Sequence, residues 1–154
     1  MELQLITSFQ VNHDKLKKGM YISRIDGDIV TYDLRMKVPN AGYYLDNAAL
    51  HTIEHLFATY VRSSPLSKNI VYVGPMGCRT GFYFITRGID HAQSIALVRQ
   101  SFEFITEFAG EIPGAKRPEC GNYLNQDLVG AKAEARDYLE VLKTVGTDTL
   151  YYEK

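Results

Sequence analysis

The hydrophobic period of the chain changes along its length, and this change constrains the fold more than any other feature. Residues 21–39 alternate polar and apolar side chains on either side of an Asp26-Gly27 turn. Such alternation around a short turn is typical of a β-hairpin. From Asp46 onward, long stretches instead show helical spacing. Strands are therefore expected mainly early in the chain and long helices later.

The remaining patterns complete a predicted α+β fold. In chain order they are a helix from Asp46 to about Ser63, a strand from Asn69 to Val73, a glycine-rich turn, a strand from Gly81 to Arg87, a helix from Asp90 through Phe108, and a helix from Asp127 to about Val145. The links between strands are short and hairpin-like. We therefore predict a single domain over residues 1–154, an antiparallel sheet packed with helices rather than a doubly wound parallel sheet.

Charge and composition exclude several classes of partner. The net charge is -1, with 17 basic and 18 acidic residues spread along the chain, so neither nucleic acid nor an anionic membrane is an expected partner. No segment approaches the roughly 20 apolar residues of a membrane span, and the first residues do not resemble a signal peptide. We expect a cytoplasmic protein, in which Cys78 and Cys120 remain thiols.

The string His51-Thr52-Ile53-Glu54-His55 carries the most chemical information. Positions four apart on a helix are neighbours, so both imidazoles can face one metal ion while Glu54 lies on the adjoining face. The alternative is that the two histidines are solvated or satisfied within a core. Only four histidines occur in the chain, which favours a metal site on this helix, and we expect the helix to be central in the domain.

A catalytic metal usually takes three protein ligands and keeps one position open. The candidates for the third ligand are Cys120, Cys78, and an acidic residue on a later helix such as Glu103 or Glu107. A thiolate is the softer ligand, suited to zinc or ferrous iron. Gly121, directly after Cys120, would let the backbone bend around a metal.

Cys78 lies in a turn between Gly77 and Arg79. An adjacent positive charge favours the thiolate form, which is the reactive form of a cysteine. The alternative for Cys78 alone is a buried, inert thiol.

Three strings, HTIEH, GPMGCRTGFY and PECGNY, resemble the S-ribosylhomocysteine lyase (LuxS) family in their order and separation. The resemblance implies that His51, His55 and Cys120 hold a ferrous ion, for which zinc or cobalt can substitute. It also implies that Glu54 and Cys78 are the acid/base pair of the reaction.

The resemblance extends to the substrate pocket. Ser8, Phe9, His13 and Arg35 match family segments that line the pocket and are supplied across a homodimer interface. Arg79, next to Cys78, is a further expected substrate contact. A homodimer with its site at the interface is therefore implied.

The implied reaction cleaves the thioether of S-ribosylhomocysteine to homocysteine and 4,5-dihydroxy-2,3-pentanedione, the precursor of autoinducer-2. A thioether β to a carbonyl can leave by elimination, so the carbonyl must first migrate from C1 to C3 of the sugar. Each migration removes a proton α to a carbonyl, which requires an acid/base group.

Two other functions remain possible from spacing alone. HxxEH is also the inverted zincin string, in which Glu54 would be the general base of a small metallopeptidase. That function leaves Cys78 and Cys120 without a task. A structural Cys₂His₂ metal site would use both cysteines, but such sites generally pair cysteines that are close in sequence.

Overall fold

The computed structural model describes residues 1–153, and its N-terminal half contains the expected hairpin. Strand β1 (Gly19–Asp26) pairs antiparallel with β2 (Ile29–Arg35), and Asp26 lies opposite Ile29. The turn is therefore Gly27-Asp28, one residue later than the sequence pattern indicates. Gly27 has a φ of 63°, a left-handed conformation that glycine adopts without a steric cost.

Two further strands complete a four-stranded antiparallel sheet in the order β1-β2-β4-β3. Strand β4 (Gly81–Arg87) has the predicted bounds, whereas β3 (Ile70–Pro75) continues two residues past Val73. Gly74 and Pro75 still pair with β4. Proline lacks an N–H donor, but β3 is an edge strand, where one side needs no partner.

Three long helices follow their predicted positions: α2 (Asn47–Ser63), α3 (His91–Glu107) and α4 (Leu128–Leu142). A four-residue helix, α1 (Thr7–Gln10), was not predicted, because one turn is too short to show a period. Helix α4 ends three residues before Val145. The Arg99 guanidinium donates to the carbonyls of Leu142 and Val145, which satisfies acceptors at this end.

The helices begin where the sequence places their caps, although not all caps use the side chain. Asp90 accepts from the backbone N–H of Gln93 in a capping box, and Asp127 accepts from that of Gly130. Asp46 occupies the N-cap of α2 without a side-chain cap bond. A favourable cap residue thus marks the start of each long helix.

The core lies between one face of the sheet and the helices, and α2 packs against α3, α4 and β3. Both the sheet and the helices contribute large, fully buried side chains, among them Tyr32, Leu34, Phe82, Phe84, Ile53, Phe57, Phe102 and Tyr138. The ring of Phe57 joins them, with centroids 5.4 Å from Phe84 and 5.3 Å from Phe102. The predicted α+β class and antiparallel sheet are confirmed within a single domain.

Within residues 1–153, none of the helices combines the length and apolar character that crossing a bilayer requires. Both cysteines are free thiols, as predicted.

Candidate metal centre and active site

Helix α2 directs the imidazoles of His51 and His55 toward one point. Their Nε2 atoms lie 3.0 Å apart, and each Nδ1 is 2.7 Å from a backbone carbonyl, that of Asn125 for His51 and that of Pro113 for His55. A carbonyl oxygen can only accept, so each Nδ1 carries a proton. In the neutral rings both Nε2 lone pairs therefore point inward, as metal ligands require.

Cys120 brings the third donor atom. Its Sγ lies 3.5 Å and 3.8 Å from the Nε2 atoms of His51 and His55, and the three donor atoms are all within 4.8 Å of one another. Within the described residues, neither Cys78, Glu103 nor Glu107 belongs to this group. Of the candidate third ligands, Cys120 is the one that lies with the two histidines, and residues 1–153 contain no Cys₂His₂ group of four donors.

The three donors fit a divalent metal. Two inward lone pairs and a sulfur repel one another unless a cation lies between them. Ligands of a tetrahedral zinc-like ion would be separated by about 3.3 Å for two nitrogens and about 3.6 Å for nitrogen and sulfur. The observed separations of 3.0, 3.5 and 3.8 Å straddle those values. Three protein ligands leave one position open, which is characteristic of catalytic sites.

A buried threonine ties the cysteine-bearing loop to α2. Thr52 donates to Oε1 of Gln126 at 2.7 Å and accepts from the backbone N–H of Asp127 at 2.9 Å. On the other side of the site, a Cβ at Gly114 would lie 3.0 Å from Nδ1 of His55, and Gly114 has a φ of 74°. Neither residue was predicted from the sequence, although Thr52 lies inside the histidine string.

Thr52→Val is expected to weaken metal binding by about tenfold, the lower end of the usual effect of groups that orient ligands. Valine keeps the shape but leaves the buried N–H of Asp127 and the amide of Gln126 without their partner. Competition with a fluorescent chelator would measure the affinity. Thr59→Val, the same change at an exposed position of α2, is the matched control and should leave it unchanged. Equal metal affinities in the two variants would show that the hydrogen bonds of Thr52 do not orient the metal ligands.

A second group of predicted residues surrounds Cys78. A cavity of about 390 Å³ is lined by Cys78 and by four of the five predicted substrate residues, together with neighbouring residues; the four are Ser8, Phe9, His13 and Arg35. Its lining includes none of the three metal-site residues. Within one chain, the Cys78 cavity and the group of His51, His55 and Cys120 therefore have no residue in common.

Inside this cavity Cys78 contacts a buried charge network. Its Sγ is 3.1 Å from Oγ1 of Thr80, which accepts from Nη1 of Arg35 at 2.8 Å. Arg35 also donates to both carboxylate oxygens of Asp33, at 3.0 and 2.6 Å. Burial lowers the pKa of Arg35, but the hydrogen bonds and charge of Asp33, with a smaller contribution from Cys78, outweigh it and raise that pKa. The guanidinium stays cationic.

Arg79, the neighbour of Cys78 in sequence, points elsewhere. Its Nη1 donates to the carbonyl of Leu45 at 3.2 Å, and its guanidinium lies 5.8 Å from the centre of the Tyr44 ring. Its backbone is left-handed, with a φ of 59°. The cation linked to Cys78 by hydrogen bonds is therefore Arg35, through Thr80. A substrate contact of Arg79 stays a prediction.

Glu54 is half-buried on α2, between the two histidines in sequence. It lies on the same helix as the two histidines, and its role in proton transfer stays a prediction.

Comparison with known proteins bears on the whole chain. The family model described as S-Ribosylhomocysteinase (LuxS) matches residues 6–148. A protein of Phocaeicola vulgatus named S-ribosylhomocysteine lyase is 48% identical, over 97% of this chain and 98% of its own length. Proteins with the same name from Porphyromonas gingivalis and Desulfotalea psychrophila are 48% and 44% identical, over 97% of this chain and 99% of their own lengths. Together with the His51, His55 and Cys120 group, these matches show that the chain belongs to the S-ribosylhomocysteinase (LuxS) family.

Proposed function

We propose that this protein is a metal-dependent lyase that cleaves the thioether of S-ribosylhomocysteine, releasing homocysteine and 4,5-dihydroxy-2,3-pentanedione. The observation that carries the proposal is the convergence of His51, His55 and Cys120, in a chain whose family and relatives bear the name of this activity. The thiol-bearing cavity around Cys78 supplies a second reactive group.

The chemistry requires protons to move along the sugar chain. An aldose-to-ketose shift moves the carbonyl from C1 to C2, and a ketose-to-ketose shift moves it to C3. The thioether, now β to the carbonyl, leaves as homocysteine thiol after loss of the α proton. When bound, a divalent cation would stabilise the negative charge that develops on the sugar oxygens. Electrons and atoms balance without an external oxidant or reductant.

Two side chains of the protein can move these protons. As a thiolate, Cys78 takes a proton from one side of the sugar chain and returns it, while Glu54 serves the other positions and the final elimination. The Thr80 hydroxyl accepts from the cationic Arg35 and lies 3.1 Å from the sulfur, so its own proton can point at a thiolate in this position. Ser8, Phe9 and His13 line the same cavity and would contact substrate.

The metal that we propose is Fe²⁺, with Zn²⁺ or Co²⁺ able to replace it at the same three residues. The His, His, Cys donor set accepts all three ions. Ferrous iron is the ion that the resemblance to the family implies. Iron beside a thiolate ligand reacts with oxygen, so the metal and the activity should be lost together in air.

The test is release of free thiol from S-ribosylhomocysteine by protein purified without oxygen, with bound metal assayed in the same sample. We expect thiol release at a rate proportional to iron content, and loss of both after exposure to air. A cobalt-substituted sample should remain active in air. Protein that holds a full complement of metal and releases no homocysteine would contradict the proposed function.

We also propose that the protein acts as a homodimer with its active site at the interface. The outer face of the sheet is covered only in part by the N-terminal segment, where Thr31, Tyr83 and Ile85 line a cavity with Ile6 and Tyr72. Ile6 and Tyr72 are exposed despite their size. Large apolar groups on an open sheet face favour burial against a partner. A second chain would also join the Cys78 cavity of one subunit to the metal group of the other.

Mixed dimers test this arrangement directly. Chains carrying Cys78→Ala and chains carrying His51→Ala, separated by different tags, should be inactive as homodimers. Their purified heterodimer should regain about half of the wild-type activity, because one of its two sites then has every residue intact.

The matched control pairs His51→Ala with His55→Ala. Both changes damage the same group, so that heterodimer should stay inactive. An inactive Cys78→Ala and His51→Ala heterodimer would mean that each site comes from one chain, and a monomer in sedimentation velocity would exclude the dimer.

A further inference from the structure

The C-terminal segment, residues 146–153, is docked against the hairpin rather than extending into solvent. Leu150 has a relative exposure of 0%, and its carbonyl accepts from the backbone N–H of Ile22 at 2.7 Å. That N–H lies at an irregularity in β1, between Ile22 and Arg24. The ring of Tyr152 then stacks on Tyr21, with centroids 4.9 Å apart and an interplanar angle of 20°.

The hydroxyl of Tyr152 reaches the buried charge pair. It donates to Oδ2 of Asp33 at 2.7 Å, and Asp33 and Arg35 are only 1% and 3% exposed. Burial raises the pKa of Tyr152, and the charge of Asp33 raises it further, so the hydroxyl keeps the proton that it donates. Oδ2 of Asp33 therefore accepts from both Tyr152 and Arg35.

The direction of the remaining bonds follows from what each group can do. A guanidinium only donates, so the Thr80 hydroxyl oxygen must accept from Nη1 of Arg35. The hydroxyl proton of Thr80 is then free to point at Sγ of Cys78, 3.1 Å away. In each hydrogen bond of this series one group donates and the other accepts. The series connects the Tyr152 hydroxyl to the sulfur of Cys78.

We propose that Tyr152 is a positioning residue for Cys78. Its hydroxyl fixes the carboxylate of Asp33, which fixes the guanidinium of Arg35, which orients the Thr80 hydroxyl as a donor to the Cys78 thiolate. Without the Tyr152 hydroxyl, a lone pair of buried Asp33 loses its partner, and the carboxylate can rotate and release Arg35. This inference rests on the proposed function only in that Cys78 is assigned to proton transfer.

Tyr152→Phe tests the inference, because phenylalanine keeps the stacked ring and removes only the hydroxyl. Tyr151→Phe is the matched control: the neighbouring tyrosine is 65% exposed. The primary readout is the rate of Cys78 alkylation by iodoacetamide at pH 7, followed by mass spectrometry of the peptide that contains Cys78. We expect about a threefold fall in Tyr152→Phe and no change in Tyr151→Phe.

The direction of the change in the alkylation rate distinguishes a positioning role of Tyr152 from a general loosening of the cavity. Cys78 is already exposed, so a looser cavity would leave its alkylation rate unchanged or raise it, whereas loss of a donor to the thiolate lowers the rate. Steady-state kinetics should show a similar fall in kcat with KM unchanged. A rate in Tyr152→Phe that rises, or that equals the rate in Tyr151→Phe, would overturn the proposal.

A double-mutant cycle with Thr80→Val tests whether Tyr152 acts on Cys78 through Thr80. Valine at position 80 removes the donor to Cys78, so adding Tyr152→Phe in that background should slow alkylation no further. Additive effects would mean that Tyr152 does not act through Thr80, which also overturns the proposal. Alkylation of Cys78 does not require turnover. If wild-type protein released no homocysteine, the proposed function would be refuted, but the alkylation test of Tyr152 could still be made.

Discussion

Cys120→Ala is expected to lose both the metal and the activity. Two imidazoles that remain on α2 are a poor site for a divalent ion, since most catalytic sites supply three protein ligands and the lost thiolate is the only negative one. We expect metal content below about a tenth of wild type and a fall in thiol release of more than about 100-fold. Metal analysis of anaerobically purified protein, together with the homocysteine assay, measures both.

The control for this variant is Glu119→Ala, which changes an exposed side chain next to Cys120 in the same loop. It should retain full metal and activity. Thermal unfolding of metal-free samples would show whether Cys120→Ala disturbs the fold itself, which we do not expect at a half-exposed loop position. A Cys120→Ala protein that keeps one tightly bound metal per chain would mean that another residue is the third ligand.

The histidine pair was predictable because its geometry is local. A spacing of four on a helix fixes where both imidazoles point, whatever the rest of the chain does. The third ligand was not predictable from spacing, because Cys120 lies in an irregular loop far along the chain from His51. The groups that orient the imidazoles, the carbonyls of Asn125 and Pro113, belong to the backbone and have no side-chain signature.

Around Cys78, in contrast, local sequence is a poor guide to structure, because the adjacent cation in the sequence is not the one linked to the thiol. Arg79 is adjacent in the chain, but a left-handed backbone turns it toward Leu45. Arg35 is distant in sequence and is brought close because it pairs with Gly81 across β2 and β4. A Cβ at Gly81 would lie 1.9 Å from the carbonyl oxygen of Leu34, so the close approach of these strands requires glycine.

Cys78→Ala is expected to separate metal binding from catalysis. Cys78 is not among the converging donor atoms, so the variant should bind as much metal as wild type. Loss of a proton-transfer group typically lowers the rate by about 100- to 10,000-fold, and we expect a fall in homocysteine release within that range. Metal analysis and the thiol assay on the same preparation test both statements.

Glu54→Gln extends the same argument to the other acid/base residue, because glutamine keeps the size of the side chain and removes its ability to take a proton. It should also retain metal and lose turnover by about 100-fold or more. If either variant lost its metal, its low activity would no longer bear on proton transfer, and that residue would have to be reassigned to the metal site. If Cys78→Ala kept both metal and turnover, Glu54 would have to move every proton, and the cavity around Cys78 would serve substrate binding alone.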